Sequence, residues 1–317
     1  VTVSSTIPVI DLEPVGHGGN ARSAVVSEID AACCDVGFFA VVGHLIDETL
    51  RQDMLAAGRS FFALDAEEKQ GIAIEQSDHH RGYAGIGQEQ LQPDLPGDAK
   101  ETLDFGIERS IDDPGRSPLE GPNQWPDLVG FRDVVERYQR AALATADLVL
   151  GLIARALDLP PEFFRPALVH PLLGTRLVHY PPVSEQELTR QLGCGAHSDY
   201  GCITLLSTDG TPGLQLLHRD DTWIDVDVPA GALVVNLGDL LGRWTNDVYR
   251  STRHRVISPS EGHRYSVPVF VDPAYDTLVT CLPSCVAPDR PARYEPVRAG
   301  DYLQSRFDDT FAYRDAD

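Results

Sequence analysis

Three residues carry the sharpest chemical signal in the sequence. Residues 195–204 read Gly-Ala-His-Ser-Asp-Tyr-Gly-Cys-Ile-Thr, and His254 follows 55 residues after Asp199 within Arg-Ser-Thr-Arg-His-Arg-Val. In extended backbone, side chains two apart share a face, so His197 and Asp199 can reach one metal while Ser198 points away. His254 opens a β-type run and can bring a third ligand from another strand. Two histidines and a carboxylate make a facial set that leaves the opposite metal positions open for O2 and a cosubstrate, as expected of non-haem Fe(II) oxygenases. A lone His-x-Asp also suits a surface turn with an Asp-to-backbone hydrogen bond. A zinc hydrolase would use a helical His-Glu-x-x-His, which the sequence lacks.

A second signal lies about ten residues past His254. Arg264 and Ser266 share a face at the start of the apolar run Val267-Pro268-Val269-Phe270-Val271. An otherwise apolar strand has little reason to turn an arginine inward unless an anion waits there. A guanidinium grips a carboxylate through two parallel hydrogen bonds, and a hydroxyl can add a third. The distal carboxylate of a dicarboxylic cosubstrate fits, with Tyr180 as a further donor. A salt bridge at a barrel rim is the alternative.

These residues must be positioned by two kinds of element. Apolar steps of three and four predict helices over 22–36, 48–62 and 127–158, with Asp47 as an N-cap and Pro160-Pro161 as a stop. Residues 37–42 read as a buried strand, and 76–125 as a long ordered loop holding one or two strands. The second half changes period. Short β-type runs at 174–180, 201–206, 213–218, 222–226, 232–236, 254–258, 264–271 and 277–282, separated by turn residues, predict a jelly roll. Residues 296–313 look helical. The expectation is an α+β fold with a mainly β core, one catalytic unit over 1–317. Its parts are a mainly helical 1–169, a β core over 170–285 and a C-terminal tail with a helix over 286–317.

Composition narrows the partners. The 317 residues carry 48 acidic and 26 basic side chains, a net charge of −22 that repels phosphate backbones and anionic lipid. Nucleic acid and membrane are therefore not expected partners, and no run of apolar residues is long enough to span a bilayer. The six cysteines form no regular framework, so reduced thiols in a cytoplasmic protein are the expectation. Cys194 and Cys202 flank the His-x-Asp and read as buried small side chains. The adjacent pair His79-His80 sits in a Gly-rich segment and is not read as a chelate.

Taken together, the chain resembles the isopenicillin-N-synthase-like family of iron and 2-oxoglutarate oxygenases over nearly its whole length. The resemblance rests on Ile7-Pro8-Val9-Ile10-Asp11-Leu12, Gly37-Phe38-Phe39 through Gly43-His44, Phe61-Phe62-Ala63-Leu64 with Glu68-Lys69, and Arg81-Gly82-Tyr83. It continues through Gly121-Pro122-Asn123-Gln124-Trp125-Pro126, Val235-Asn236-Leu237-Gly238-Asp239, Ser251 and His254-Arg255-Val256. It implies a double-stranded β-helix with Fe(II) held by His197, Asp199 and His254, and 2-oxoglutarate held by Arg264, Ser266 and Tyr180. By family position Arg81, Tyr83, Phe105, Val269 and Phe270 would line a substrate pocket. Two positions depart from the pattern: Gly43 stands where Asn is usual, and Val178 where plant members place an Asn that contacts the cosubstrate.

The implied reaction consumes O2 and 2-oxoglutarate, yields succinate and CO2, and hydroxylates a small-molecule substrate, with desaturation or ring closure as variants. Bacterial secondary metabolism, such as antibiotic biosynthesis, would suit such an enzyme. A cosubstrate-independent iron oxidase like isopenicillin N synthase is the alternative on the same motifs. A non-catalytic binder of small acids is the alternative of another class.

Overall fold

The apolar runs of the second half become strands because each is short, rich in Val, Leu and Ile, and cut off by Gly, Pro or Asp. The fold is that of a computed structural model, which describes residues 7–184, 186 and 191–310. The first half gives β1 (Val9–Asp11), β2 (Phe38–Val42), β3 (Gly82–Ala84) and β4 (Glu101–Phe105). Then come β5 (Leu172–Tyr180), β6 (Cys194–His197), β7 (Ile203–Thr208), β8 (Leu214–Leu217) and β9 (Trp223–Asp225). The last are β10 (Leu233–Leu237), β11 (His254–Val256), β12 (Arg264–Asp272), β13 (Leu278–Val279) and β14 (Val297–Arg298). The helices are α1 (Gly19–Asp35), α2 (Glu48–Phe62), α3 (Ala66–Gln70), α4 (Phe131–Ala156), α5 (Asp239–Trp244) and α6 (Ala299–Thr310).

An eight-stranded sheet runs β1-β2-β10-β7-β12-β5-β4-β3, and a four-stranded sheet runs β6-β11-β8-β9. All pairings in both are antiparallel except β1 with β2. The fold is thus the expected mainly β core with accompanying helices. The large sheet takes four of its eight strands from the first half, so that half joins the β core as well as covering it.

The two faces of the large sheet do different work, because side chains alternate along each strand. Val267, Val269 and Val271 of β12 join Leu205, Leu177 and Val235 in one core with the helices, including Val135, Tyr138, Ala142 and Val149 of α4. The opposite face meets the small sheet, where Phe38, Val178, Tyr180 and Val234 pack with Leu214, Leu216 and Val256. Arg264, Ser266, Phe270 and Asp272 alternate onto this second face, inside the barrel.

Helix α2 matches its expected span, capped by Asp47, whose carboxylate accepts from the Thr49 and Leu50 amides. Helix α4 begins later than its apolar stripe suggested, because Pro126 and Gly130, the latter at φ 76°, hold the chain in a turn. The expected strand over 201–206 moves to Ile203–Thr208, since residues 199–202 form a turn whose carbonyls accept from the amides of Gly238, Asp239 and Leu240. Residues 277–282 reduce to the two-residue β13. Strand β6 went unread because Cys-Gly-Ala-His has no apolar alternation.

One junction ties this frame to the site. Gly37 turns the chain from α1 into β2 at φ 67°, and a β-carbon there would fall on the Arg250 carbonyl. Its own carbonyl accepts from the Leu237 amide at 3.1 Å, and the Val36 carbonyl accepts the Thr252 hydroxyl at 2.6 Å. The segment leading into His254 is therefore pinned against this turn. Gly37→Ala combines left-handed backbone with a backbone collision, and is expected to cost about 2 kcal/mol or more. Urea unfolding followed by circular dichroism measures it, and an unchanged midpoint would contradict this account of the junction.

Candidate metal centre and its cavities

His197 ends β6 and His254 opens β11, and the two residues face each other across the antiparallel pair. Asp199 lies two residues on, in the turn that α5 braces. The Nε2 atoms of both histidines stand 3.6 Å from the same Asp199 oxygen, Oδ1. One donor atom from each of the three residues falls within 4.8 Å of the others, so one ion can be shared among them.

Each donor is aimed by a second contact. His197 Nδ1 pairs with the Gly195 carbonyl at 2.8 Å, and His254 Nδ1 with the Thr252 carbonyl at 3.1 Å. A carbonyl can only accept, so both rings carry a proton on Nδ1 and turn Nε2 inward as the ligand atom. Asp199 Oδ2 accepts the Asn236 amide at 2.7 Å and the Thr204 hydroxyl, which leaves Oδ1 for a cation. Burial would raise the Asp199 pKa, but His254 and His197 outweigh it and hold the carboxyl well below the usual range. Burial, reinforced by His197, lowers His254 to about 4, so its Nε2 is unprotonated at neutral pH. For His197 burial is overcome by Cys194 and Asp199, which retain a proton that a metal would displace.

The triad lies between two cavities. One, of about 580 Å³, contains Tyr180, Arg264 and Ser266 together with His197, Asp199 and His254. Arg264 is only 1% exposed. It donates to the Thr211 carbonyl at 3.2 Å and reaches Ser266 Oγ at 3.4 Å, with its guanidinium 4.8 Å above the Tyr180 ring. Among the described residues no carboxylate pairs with it. The rim salt bridge, the alternative raised by the sequence, is not formed among these residues. A buried guanidinium with no protein anion suits the distal carboxylate of a dicarboxylate.

The other cavity, about 1000 Å³ and open to solvent, is lined by Arg81, Phe105, Phe270, His79, His80 and Tyr200, among others. Two of the five expected pocket residues do not reach it. Val269 alternates onto the helix-facing side of β12, opposite Phe270. Tyr83 points the same way from β3 and donates to Glu101 at 2.7 Å. Arg81 lines the cavity, but its guanidinium donates to the carbonyls of His79, His80 and Leu119. Burial lowers its pKa to about 10.

Between the cavities runs a buried charge network that sequence reasoning missed. Lys100 pairs with Glu89 at 2.6 Å and Asp98 at 2.5 Å, and approaches Cys194 Sγ at 3.3 Å. Arg176 pairs with Glu89 at 3.0 Å and Asp104 at 2.7 Å. Removing one member strands its partner in low dielectric, at a cost of about 3–5 kcal/mol. Thr204 and Asn236 were also unassigned. Each is a polar residue on the inner face of an apolar strand, the signal that had flagged Arg264.

Comparison with known proteins points the same way. The family model described as the non-haem dioxygenase in morphine synthesis N-terminal region matches residues 7–128. That of the 2OG-Fe(II) oxygenase superfamily matches residues 172–273. The 2-oxoglutarate-Fe(II) type oxidoreductase hxnY of Emericella nidulans is 36% identical over 98% of this chain and 91% of its own length. Kihadalactone A synthase of Citrus sinensis is 32% identical over 96% and 93%. Among solved structures, a full-length Neurospora crassa protein in complex with alpha-KG and thymine superposes with a TM-score of 0.84 at 30% identity, covering 95% of this chain and 96% of that one. A putative 2OG-Fe(II) oxygenase family protein of Caulobacter crescentus gives 0.86 at 31% identity, covering 96% and 99%.

The grip on Asp199 has a measurable consequence. Asn236→Ala frees one side of the carboxylate and should weaken Fe(II) affinity by roughly 10- to 100-fold with little loss of fold. Competition against a calibrated chelator under anaerobic conditions reads this directly. Wild-type affinity in the variant would leave Asn236 a packing role only.

Proposed function

This chain belongs to the 2OG-Fe(II) oxygenase superfamily, and on that premise we propose that His197, Asp199 and His254 are its iron ligands and that Arg264, Ser266 and Tyr180 receive 2-oxoglutarate. As a member it is a non-haem iron, 2-oxoglutarate-dependent dioxygenase acting with O2. The observation that carries the residue assignment is the single cavity joining three convergent donors to a buried arginine that pairs with no carboxylate among the described residues. When bound, Fe(II) and 2-oxoglutarate supply the oxidation of a substrate C–H bond by O2, with succinate and CO2 released.

The chain's own share is positioning. The backbone bonds at Gly195 and Thr252 fix both imidazole planes, and Thr204 with Asn236 fixes the carboxylate. Arg264 sets the far end of the cosubstrate and so its register along the cavity. The substrate then lies on the Phe270 and Tyr200 side of the triad, under Leu303 and Phe307 of α6, which reduce access of water. We read the substrate as a small molecule of a few rings at most. Solved relatives hold ligands as small as thymine and 5-formyluracil. Among the described residues no helix is long and apolar enough to cross a membrane.

Adding Fe(II) and then 2-oxoglutarate to the metal-free protein without oxygen should produce a visible metal-to-ligand charge-transfer band, and His254→Ala should abolish it. Arg264→Ala should keep the iron and raise the 2-oxoglutarate needed for half the band by about 10- to 100-fold, through loss of a charge-assisted pair. An unchanged requirement would make Arg264 structural. Once a substrate is in hand, product without equimolar succinate would favour the cosubstrate-independent oxidase.

A further inference from the structure

The large cavity holds several acids, and the chain supplies cations to all but one of those outside the triad. Glu89 has Lys100 and Arg176, Asp104 has Arg176, and Glu120 has Arg109 at 3.3 Å. Asp272 differs. It ends β12 on the inner face, 7% exposed, and lines the cavity beside Asp199 and Gly201. Its Oδ1 accepts the Cys202 amide at 2.8 Å. Among the described residues Asp272 makes no ion pair, and its Oδ2 accepts no hydrogen bond. The position is built rather than incidental, since a β-carbon on Gly201 would fall onto this carboxylate.

A buried carboxylate without a cation is costly unless something arrives to meet it. Burial pushes the Asp272 carboxyl up to about 7; the Cys202 amide opposes this, and Asp199 adds to it. The loaded centre offers no relief, because Fe(II) with Asp199 and doubly ionised 2-oxoglutarate carries one net negative charge. Arg176 lines the same cavity but is engaged by carboxylates, and Arg81, whose Nη atoms donate to backbone carbonyls while its Nε finds no partner, forms no ion pair with Asp272. Oδ2 is left to a proton or to a donor that the substrate brings.

We propose that Asp272 is a substrate-recognition residue whose Oδ2 accepts an N–H of a compact nitrogenous substrate, cationic or amide-like, and that the cavity disfavours carboxylate substrates. The remaining walls fit a ring, with Phe270, Phe105 and Leu173 supplying apolar surface. This rests on the proposed iron and 2-oxoglutarate centre, which places the cavity beside the reacting position.

The test is calorimetry on the anaerobic Fe(II)- and 2-oxoglutarate-loaded protein with three probes of one shape: benzamidine, benzamide and benzoate. Benzamidine should bind most tightly and benzoate least, with at least about a tenfold span for a charge-assisted pair. Asp272→Asn, which keeps an acceptor for the Cys202 amide, should lose most of that span while its 2-oxoglutarate affinity stays at the wild-type value. A span that persists in the variant overturns the assignment, as does a wild type that binds no benzamidine. If the variant fails to bind 2-oxoglutarate, the wild-type order still decides: benzoate at or above benzamidine and benzamide overturns it. Failure of the wild type to bind 2-oxoglutarate in the loading step strikes instead at the proposed centre, so the two readings fail separately.

Discussion

Asp199 is held on one oxygen and open on the other, and the site depends on that asymmetry. Its Oδ2 is fixed by Asn236 from β10 and Thr204 from β7, while Oδ1 lies at equal distances from two imidazole nitrogens. A carboxylate free to rotate would pair with whichever histidine was protonated and close the site. Held in this way, it keeps three donors converged before any metal arrives. The ion then inherits a geometry and does not have to impose one.

That grip explains why so much of the fold lies behind a small set of atoms. Asn236 and Thr204 stand on neighbouring strands of the large sheet, whereas the two histidines belong to the small sheet. The donors converge only if the sheets keep their separation, which the packed side chains between them set. The helices pack against the outer face of the large sheet. Asp239 of α5 adds a tie, accepting from Ser251 just before the His254 strand and from Tyr302 of α6. Loops, helices and both sheets therefore meet at the turn that carries Asp199.

Much of this was legible in the sequence, and what was missed has physical reasons. The triad was readable because a two-residue step and a distant histidine at a strand start have few other uses in combination. Arg264 was readable because charge is expensive on an apolar strand. Asn236 and Thr204 obeyed the same rule, but asparagine and threonine are common enough in strands to pass as ordinary. Lys100, Glu89 and Asp104 were hidden because they come from a segment with little periodicity, and only the fold shows that β4 borders β5. Val269 and Tyr83 were misassigned to the pocket by family position, although alternation along β12 forbids Val269 and Phe270 from facing one way.

The two cavities present different charged groups, and on the proposed assignment this would separate their ligands. On one side Arg264 is a buried cation, held by the Thr211 carbonyl and Ser266, with no carboxylate partner among the described residues; on the other Asp272 is a buried acid, held by the Cys202 amide, with no cationic partner among them. Between them Lys100 and Arg176 are shared among Glu89, Asp98 and Asp104, so neither cation is left for a stray ligand. A dicarboxylate placed on the Asp272 side meets an unpaired acid, and a nitrogenous cation placed on the Arg264 side meets an unpaired guanidinium. Each misplacement buries like charge at short range, which costs more than imperfect shape alone. On that assignment two small ligands would be ordered around one metal by fixed charge, leaving the apolar walls free to vary with the substrate.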